Sequence, residues 1–217
     1  MKKQHLPLAR EGYPFIFFCA FAALLCALLG LTAATFIGLL LTTFVTWFFR
    51  DPSRVIPDDP AAIVCPADGR VIIIKEMDDD RFLKGRVLKI SIFMNIFNVH
   101  VNRIPCLGRV ERILFKPGKF YSADNEKAAL HNEYCAVTLA TPSGIRYCVV
   151  QVAGLIARRI VCRAEPGDTI AAGRRYGLIR FGSRVDLYLP PDTKVEVQLR
   201  QKVRSGETIL AHLSPDK

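Results

Sequence analysis

Hydrophobic and polar positions divide this chain into two unlike stretches. From Pro14 to Phe49 no residue is charged, and Phe, Leu, Ala, Ile and Thr dominate. Beyond Arg50 charges recur up to Lys217, and the apolar residues come in short runs. A single helix from Pro14 to Phe49 would be about 54 Å long, against a hydrocarbon layer of about 30 Å. Two short helices joined near Gly30-Leu31-Thr32 fit better. Lys2, Lys3 and Arg10 flank one end of the run, and Arg50 and Arg54 flank the other. Basic residues on both sides predict a membrane hairpin with both ends in the cytoplasm. A cleaved signal peptide fits poorly, because Phe48-Phe49-Arg50-Asp51-Pro52 lacks the small residues of a cleavage site. Burial in a soluble core also fits poorly, since the faces from Phe15 to Phe21 are apolar all round.

After Arg50 the pattern changes to β-branched runs: Val71–Ile74, Val87–Met94, Tyr134–Leu139, Tyr147–Val152 and Val195–Leu199. Turn signals separate them at Ala67-Asp68-Gly69, Pro117-Gly118, Pro142-Ser143-Gly144, Pro166-Gly167-Asp168 and Ser205-Gly206. This spacing predicts a mainly β domain with a minor α+β character. Lys127–Leu130 and Gly154–Arg159 are the short helical or turn pieces. Pro166-Gly167-Asp168-Thr169 and Ser205-Gly206-Glu207-Thr208 look alike and suggest matching turns in a barrel-sandwich or lipoyl-like β arrangement. The organisation expected is a basic cytoplasmic terminus (1–13), a membrane segment (14–49) and a catalytic domain (50–217).

Composition adds compartment and partner. Seven cysteines include no Cys-x-x-Cys pair, which reads as reduced core thiols and suits a cytoplasmic domain at the cell membrane. The formal charge of +10 on a bilayer-tied chain matches anionic lipid headgroups. No stacking pattern of aromatic and basic residues points to nucleic acid. His5, His131 and His212 form no metal-ligand spacing, so no metal is expected.

Candidate chemistry centres on Arg180-Phe181-Gly182-Ser183-Arg184. In isolation Gly182-Ser183 reads as a turn. Its setting differs, because it interrupts two apolar runs, and a constrained Gly before a Ser leaves the Gly carbonyl open to the hydroxyl. The segment Arg180–Asp186, together with Gln151–Ile160, resembles the short bacterial and archaeal form of phosphatidylserine decarboxylase. Phe48–Arg54, Pro66–Val71, Ile92–Asn95, Val99–Pro105, Gly118–Phe120 and Asn132-Glu133 extend the resemblance in order from about residue 7 to 213.

The resemblance implies a self-processing proenzyme that decarboxylates phosphatidylserine to phosphatidylethanolamine. Cleavage between Gly182 and Ser183 would leave an associated β chain (1–182) and α chain (183–217). Ser183 would become a pyruvoyl group that forms a Schiff base with the substrate amine and serves as electron sink. His100 matches the family histidine associated with decarboxylation, and its titration range suits proton transfer. Asp68, in Pro66-Ala67-Asp68-Gly69, is placed to orient or charge-stabilise a catalytic partner. Larger family members carry a second histidine three residues on, where this chain has Arg103, so the self-cleavage base stays open. Arg158, Arg159, Arg180 and Arg184 are candidates to grip the lipid phosphate or serine carboxylate. Diacyl and ether-linked lipids remain alternatives, as does homo-oligomerisation. A membrane-tethered β module that only binds or scaffolds is the reading from another class.

Overall fold

A computed structural model describes residues 7–118, 132–154, 159–180 and 182–214. It separates into two units, Met1–Ser53 and Arg54–Lys217.

In the first unit a 3-10 turn, Arg10–Gly12, leads into α1 (Tyr13–Leu28), and α2 (Thr32–Phe48) follows. Gly30 ends α1 with a φ of +69°. The Leu31 N–H then reaches back to the Cys26 carbonyl at 2.9 Å, a glycine-terminated helix end. The free ends of the pair are tied by backbone bonds from Ala9 to Phe49 (2.8 Å) and from Asp51 to Pro7 (2.7 Å). Gly38 lets the helices close in, because a Cβ there would stand 2.8 Å from that of Ala23. Thr35, Thr42, Thr43 and Thr46 each return their hydroxyl to a carbonyl four residues back. No threonine hydroxyl of that set therefore needs a partner outside the helix. The stretch Arg10–Leu28 is long and apolar enough to cross a membrane, with a mean hydropathy of 1.8.

The second unit is mainly β, as the run pattern predicts. Its strands are β1 (Ala62–Val64), β2 (Gly69–Asp79), β3 (Gly85–Met94), β4 (Val101–Arg103), β5 (Gly108–Lys116), β6 (Tyr134–Ala140) and β7 (Arg146–Ala153). They continue as β8 (Ile160–Cys162), β9 (Thr169–Ile170), β10 (Arg175–Ile179), β11 (Ser183–Leu189), β12 (Lys194–Val195), β13 (Lys202–Val203) and β14 (Ile209–His212). Eight of them form a curled half-barrel in the order β13-β2-β3-β11-β7-β6-β5-β9. Two three-stranded sheets, β1-β14-β12 and β4-β10-β8, accompany it.

One face of the large sheet, with Ile90, Ile92, Val149, Val185 and Leu187, shares a core with Ile63, Tyr176 and Leu210 of the smaller sheets and with Ile104 just after β4. The other face gathers Val87, Tyr134, Val150, Val152 and Tyr188 into a second cluster. Asp79 shapes its cover by accepting the Phe82 and Leu83 N–H groups at 2.9 and 2.7 Å. Phe82 then sits edge-on to Tyr134 and Tyr188.

Two local expectations need correction. The run Val195–Leu199 is extended strand only at its start, in β12; Arg200 takes a φ of +68°, and Gln201 Oε1 accepts the Gln198 N–H to build a turn. The turn's bond competes with a ladder there. Conversely, β5 is a full strand that the apolar runs did not mark, because a register irregularity between Val110 and Arg112 puts two exposed polar residues, Glu111 and Arg112, in succession. The twin Pro-Gly-Asp-Thr and Ser-Gly-Glu-Thr segments are indeed matching turns, with Gly167 at φ +95° and Gly206 at φ +75°, each leading into a strand. The expected helical piece at Lys127–Leu130, and most of that at Gly154–Arg159, lie outside the described residues.

Candidate active site

Ser183 opens β11, in the interior of the large sheet. It pairs with Met94 on one side and Ala153 on the other. Strand alternation sends Ser183, Val185 and Leu187 to the core face, and Arg184, Asp186 and Tyr188 to the opposite face. The Ser183 side chain is wholly buried. Its Oγ has no hydrogen-bond partner among the described residues. An unsatisfied buried hydroxyl costs about 1–3 kcal/mol, so such a group calls for a functional explanation. Gly182, just before it, has a φ of +30°. Among the described residues no atom lies within 4 Å of where its Cβ would be. Backbone conformation, not lack of room, therefore requires glycine here. The Gly182–Ser183 bond joins a left-handed glycine to the first residue of a buried strand, where strain can persist because the flanks hold it.

His100 is almost completely buried and directly precedes β4. Its carbonyl accepts the Ile179 N–H at 3.4 Å, and Ile179 ends β10, the strand that delivers the chain to Gly182. Asp68 directly precedes β2. Arg70 of β2 faces Phe93 of β3, and Phe93 faces Arg184 of β11. Asp68 and Ser183 thus share one end of the sheet, two strand spacings or about 10 Å apart along the backbone. The Asp68 carboxylate is already engaged: Arg54 Nη2 donates to both oxygens at 3.0 and 2.8 Å, and the Ser205 N–H donates at 2.8 Å. Arg54 also reaches Glu207 at 3.4 Å. The residue at the second-histidine position, Arg103, is buried and donates through Nη1 to the Gly173 carbonyl at 3.0 Å. Its N–H holds the Pro66 carbonyl at 2.9 Å, which ties β4 to the Asp68 turn.

The four candidate arginines separate. Arg184 is completely buried on the face away from Ser183. Its Nε lies 2.8 Å from Asp186 Oδ1, and Lys89 Nζ lies 3.1 Å from Oδ2. Burial alone would raise the Asp186 carboxyl, but Arg184 and Lys89 beside it hold it below its ordinary range. Burial pulls the Lys89 ammonium below its usual value despite Asp186. Arg184 is thus part of a buried ionic cluster behind the Ser183 strand. Arg159 is exposed, Arg180 is half-buried, and the Arg180 N–H meets the Arg159 carbonyl at 3.4 Å. Arg158 lies outside the described residues.

Three amides around Ser183 were not anticipated. Gln151 faces Val185 in the register, is completely buried, and donates to Asn102 Oδ1 at 2.8 Å. Asn102 Nδ2 approaches Met94 Sδ at 3.7 Å. Asn132 donates to the Ala153 carbonyl at 2.7 Å. Met94 and Ala153 are the two neighbours of Ser183. The signal available in the sequence was Gln151 itself, one amide inside the apolar run Tyr147–Ala153. Arg54 gave none, because its partner Asp68 is 14 residues away.

Comparison with known proteins gives the family. A family model described as phosphatidylserine decarboxylase matches residues 41–211. The phosphatidylserine decarboxylase proenzyme of Desulfotalea psychrophila is 57% identical over 213 residues, covering 98% of this chain and 100% of that protein. The proenzyme of Syntrophotalea carbinolica is 49% identical over 213 residues, again covering 98% and 100%. That of a Geobacter species is 48% identical over 219 residues, with the same coverage.

Proposed function

The chain belongs to the phosphatidylserine decarboxylase family, and on that footing we propose that it is a proenzyme which cuts itself between Gly182 and Ser183 and then decarboxylates phosphatidylserine to phosphatidylethanolamine. The observation that carries this reading is the buried Ser183 Oγ, without a hydrogen-bond partner among the described residues, directly after a glycine with positive φ. In the cut, Ser183 Oγ attacks the Gly182 carbonyl carbon, and the amide becomes an ester. Loss of the Ser183 α-proton expels the Gly182 carboxylate and leaves dehydroalanine. Water then releases ammonia and leaves a pyruvoyl group at the head of the α chain (183–217), with Gly182 ending the β chain (1–182).

That site fits a pyruvoyl group: β11 is buried along its length and paired on both sides, so the new terminus stays in the sheet. The group supplies a ketone that takes the substrate amine and accepts the electron pair left as carbon dioxide departs. His100, alongside the strand that leads to the cut, returns a proton to the carbon that lost the carboxylate. Asp68, fixed by Arg54 and the Ser205 N–H, sets the charge at the same end of the sheet. With Arg103 holding Gly173, strain at Gly182 carries part of the first step. With Arg184 buried in its ionic cluster, Arg159 and Arg180 are the described candidates to meet an anionic headgroup. The helix pair holds this chemistry at the cell membrane, with the catalytic domain on the cytoplasmic face, where the flanking basic residues keep it.

Intact-mass measurement on the purified membrane protein tests the reading. Two fragments split at 182/183 are expected, the smaller blocked to N-terminal sequencing. A single uncut chain of 24.3 kDa in active membranes would overturn it.

A further inference from the structure

A pair of amides roofs the core face of β11, the face to which Ser183 belongs. Gln151 of β7 stands directly across from Val185, and Met94 of β3 directly across from Ser183. Asn102 of β4 meets both. Its Oδ1 accepts the Gln151 Nε2–H at 2.8 Å, and its Nδ2 lies 3.7 Å from Met94 Sδ. Because β3 and β7 are the two neighbours of β11, the Asn102 amide crosses β11 between Ser183 and Val185. Asn102, Gln151, Met94 and Ser183 are all completely buried. The cations Arg70 and Lys202 stand elsewhere. Arg70, paired with Lys202, is in register with Phe93 and Arg184, on the opposite face of the sheet.

Neighbouring groups fix which way each amide points. The same Gln151 nitrogen reaches the Val161 carbonyl at 3.4 Å, and a carbonyl only accepts, so this end of the glutamine is its donor. Asn102 Oδ1 is then the acceptor, which turns Nδ2 toward Met94, at the level of Ser183. Gly177, in register with Asn102, leaves room for the pair, since a Cβ there would stand 2.7 Å from Gln151 Nε2. An amide nitrogen carries two hydrogens, and a thioether is a weak acceptor. Among the described residues that sulfur is the only partner of Asn102 Nδ2. The nitrogen therefore loses little by turning to a stronger acceptor. Ser183 lies one strand spacing, about 4.8 Å, across from Met94, and its Oγ becomes such an acceptor once it carries negative charge.

Resting on the self-cleavage reading above, we propose that Asn102 is a catalytic residue of the cut, whose Nδ2 donates to Ser183 Oγ as the Gly182 carboxylate departs. In that step the Ser183 Cα–H and Cβ–Oγ bonds break and a Cα=Cβ double bond forms. The Cβ–Oγ electron pair leaves on the carboxylate, and the α-proton passes to water. A donor at Oγ stabilises the departing charge, and Gln151 is the positioning residue that aims it. The test is Asn102→Asp in the full-length protein, which keeps the shape and an oxygen for the Gln151 N–H but loses the donor. Fragments on a denaturing gel should form about 100-fold more slowly than in the wild type. The uncut chain should accumulate as the ester, which neutral hydroxylamine splits at 182/183 under native conditions, releasing a smaller fragment with an unblocked Ser183. Gln151→Met, of similar length but without the donor, should show the same arrest at about tenfold. The urea midpoint of uncut Asn102→Asp should equal that of uncut Ser183→Ala; where it is lower, Gln151→Met carries the test. Fragment formation at the wild-type rate would overturn the proposal. So would a folded, uncut chain that resists hydroxylamine, because the block would then precede the ester. A wild-type chain that forms no fragments would overturn the self-cleavage reading instead.

Discussion

The helix pair and the β domain place their polar and apolar groups in opposite ways. In the pair, Phe17, Phe18, Leu28, Phe36, Ile37 and Leu40 are all strongly exposed, while threonine hydroxyls are satisfied within α2. In the domain, Ile90, Ile92, Val149 and Leu187 are completely buried, and so are Ser183, Arg184 and Gln151. The rule is the same in both: a polar group needs a partner wherever water is missing. What differs is the solvent each unit is built for. Among the described residues the domain leaves several buried hydroxyls without a hydrogen-bond partner, Tyr176 and Thr193 as well as Ser183, and of these Ser183 alone directly follows a glycine with positive φ.

The sharpest break comes from removing that hydroxyl. Ser183→Ala should abolish both fragment formation on a denaturing gel and carbon dioxide release; activity in an uncut variant would remove Ser183 from the chemistry. His100→Ala comes next, with decarboxylation lost to background and fragments still formed. Full activity in that variant would exclude the histidine from the site.

Asp186→Ala tests the buried cluster behind the strand. It leaves Arg184 and Lys89 buried without their carboxylate, which should lower stability by about 3–5 kcal/mol, read as a drop in the urea midpoint. The Asp186 carboxyl is held below its ordinary 3.8 in the fold. Its contribution is therefore complete above that value and is lost as pH falls through the lower folded value. The wild-type midpoint should fall in that acid window, and the variant should lack that part of the fall.

The smallest effect belongs to the helix pair. Gly38→Val forces a side chain against Ala23 and should weaken the pair by about 1–3 kcal/mol. Trp47, in α2, is the one tryptophan in the chain, so its emission should shift at lower denaturant than in the wild type. An unchanged Trp47 transition would mean that the close approach at Gly38 does not matter.

Much of this was legible along the chain. The charge-free run announced the helix pair because its length exceeds one membrane crossing, and Gly30 marked the break. β-branched runs between Gly and Pro turns announced β2, β3, β6 and β7, because period and turn chemistry are local. β5 was not legible, since two polar residues in succession, Glu111 and Arg112, mask the alternation. Nor was the end of β12, where a side-chain bond to the backbone overrides propensity.

Around the site the division runs between residue identity and residue partner. Sequence by itself determined that Gly182-Ser183, His100 and Asp68 were the residues to watch, through motif order, and that lipid was the substrate class to expect, through the oily run. Only the tertiary structure decided that Arg184 faces away from Ser183 into an ionic cluster with Asp186 and Lys89. It alone joined Arg54 to Asp68 and brought Arg70 opposite Lys202. The reason is that strand alternation and sheet register, not sequence distance, set which side chains meet, and register is fixed only when the whole sheet has closed around its core.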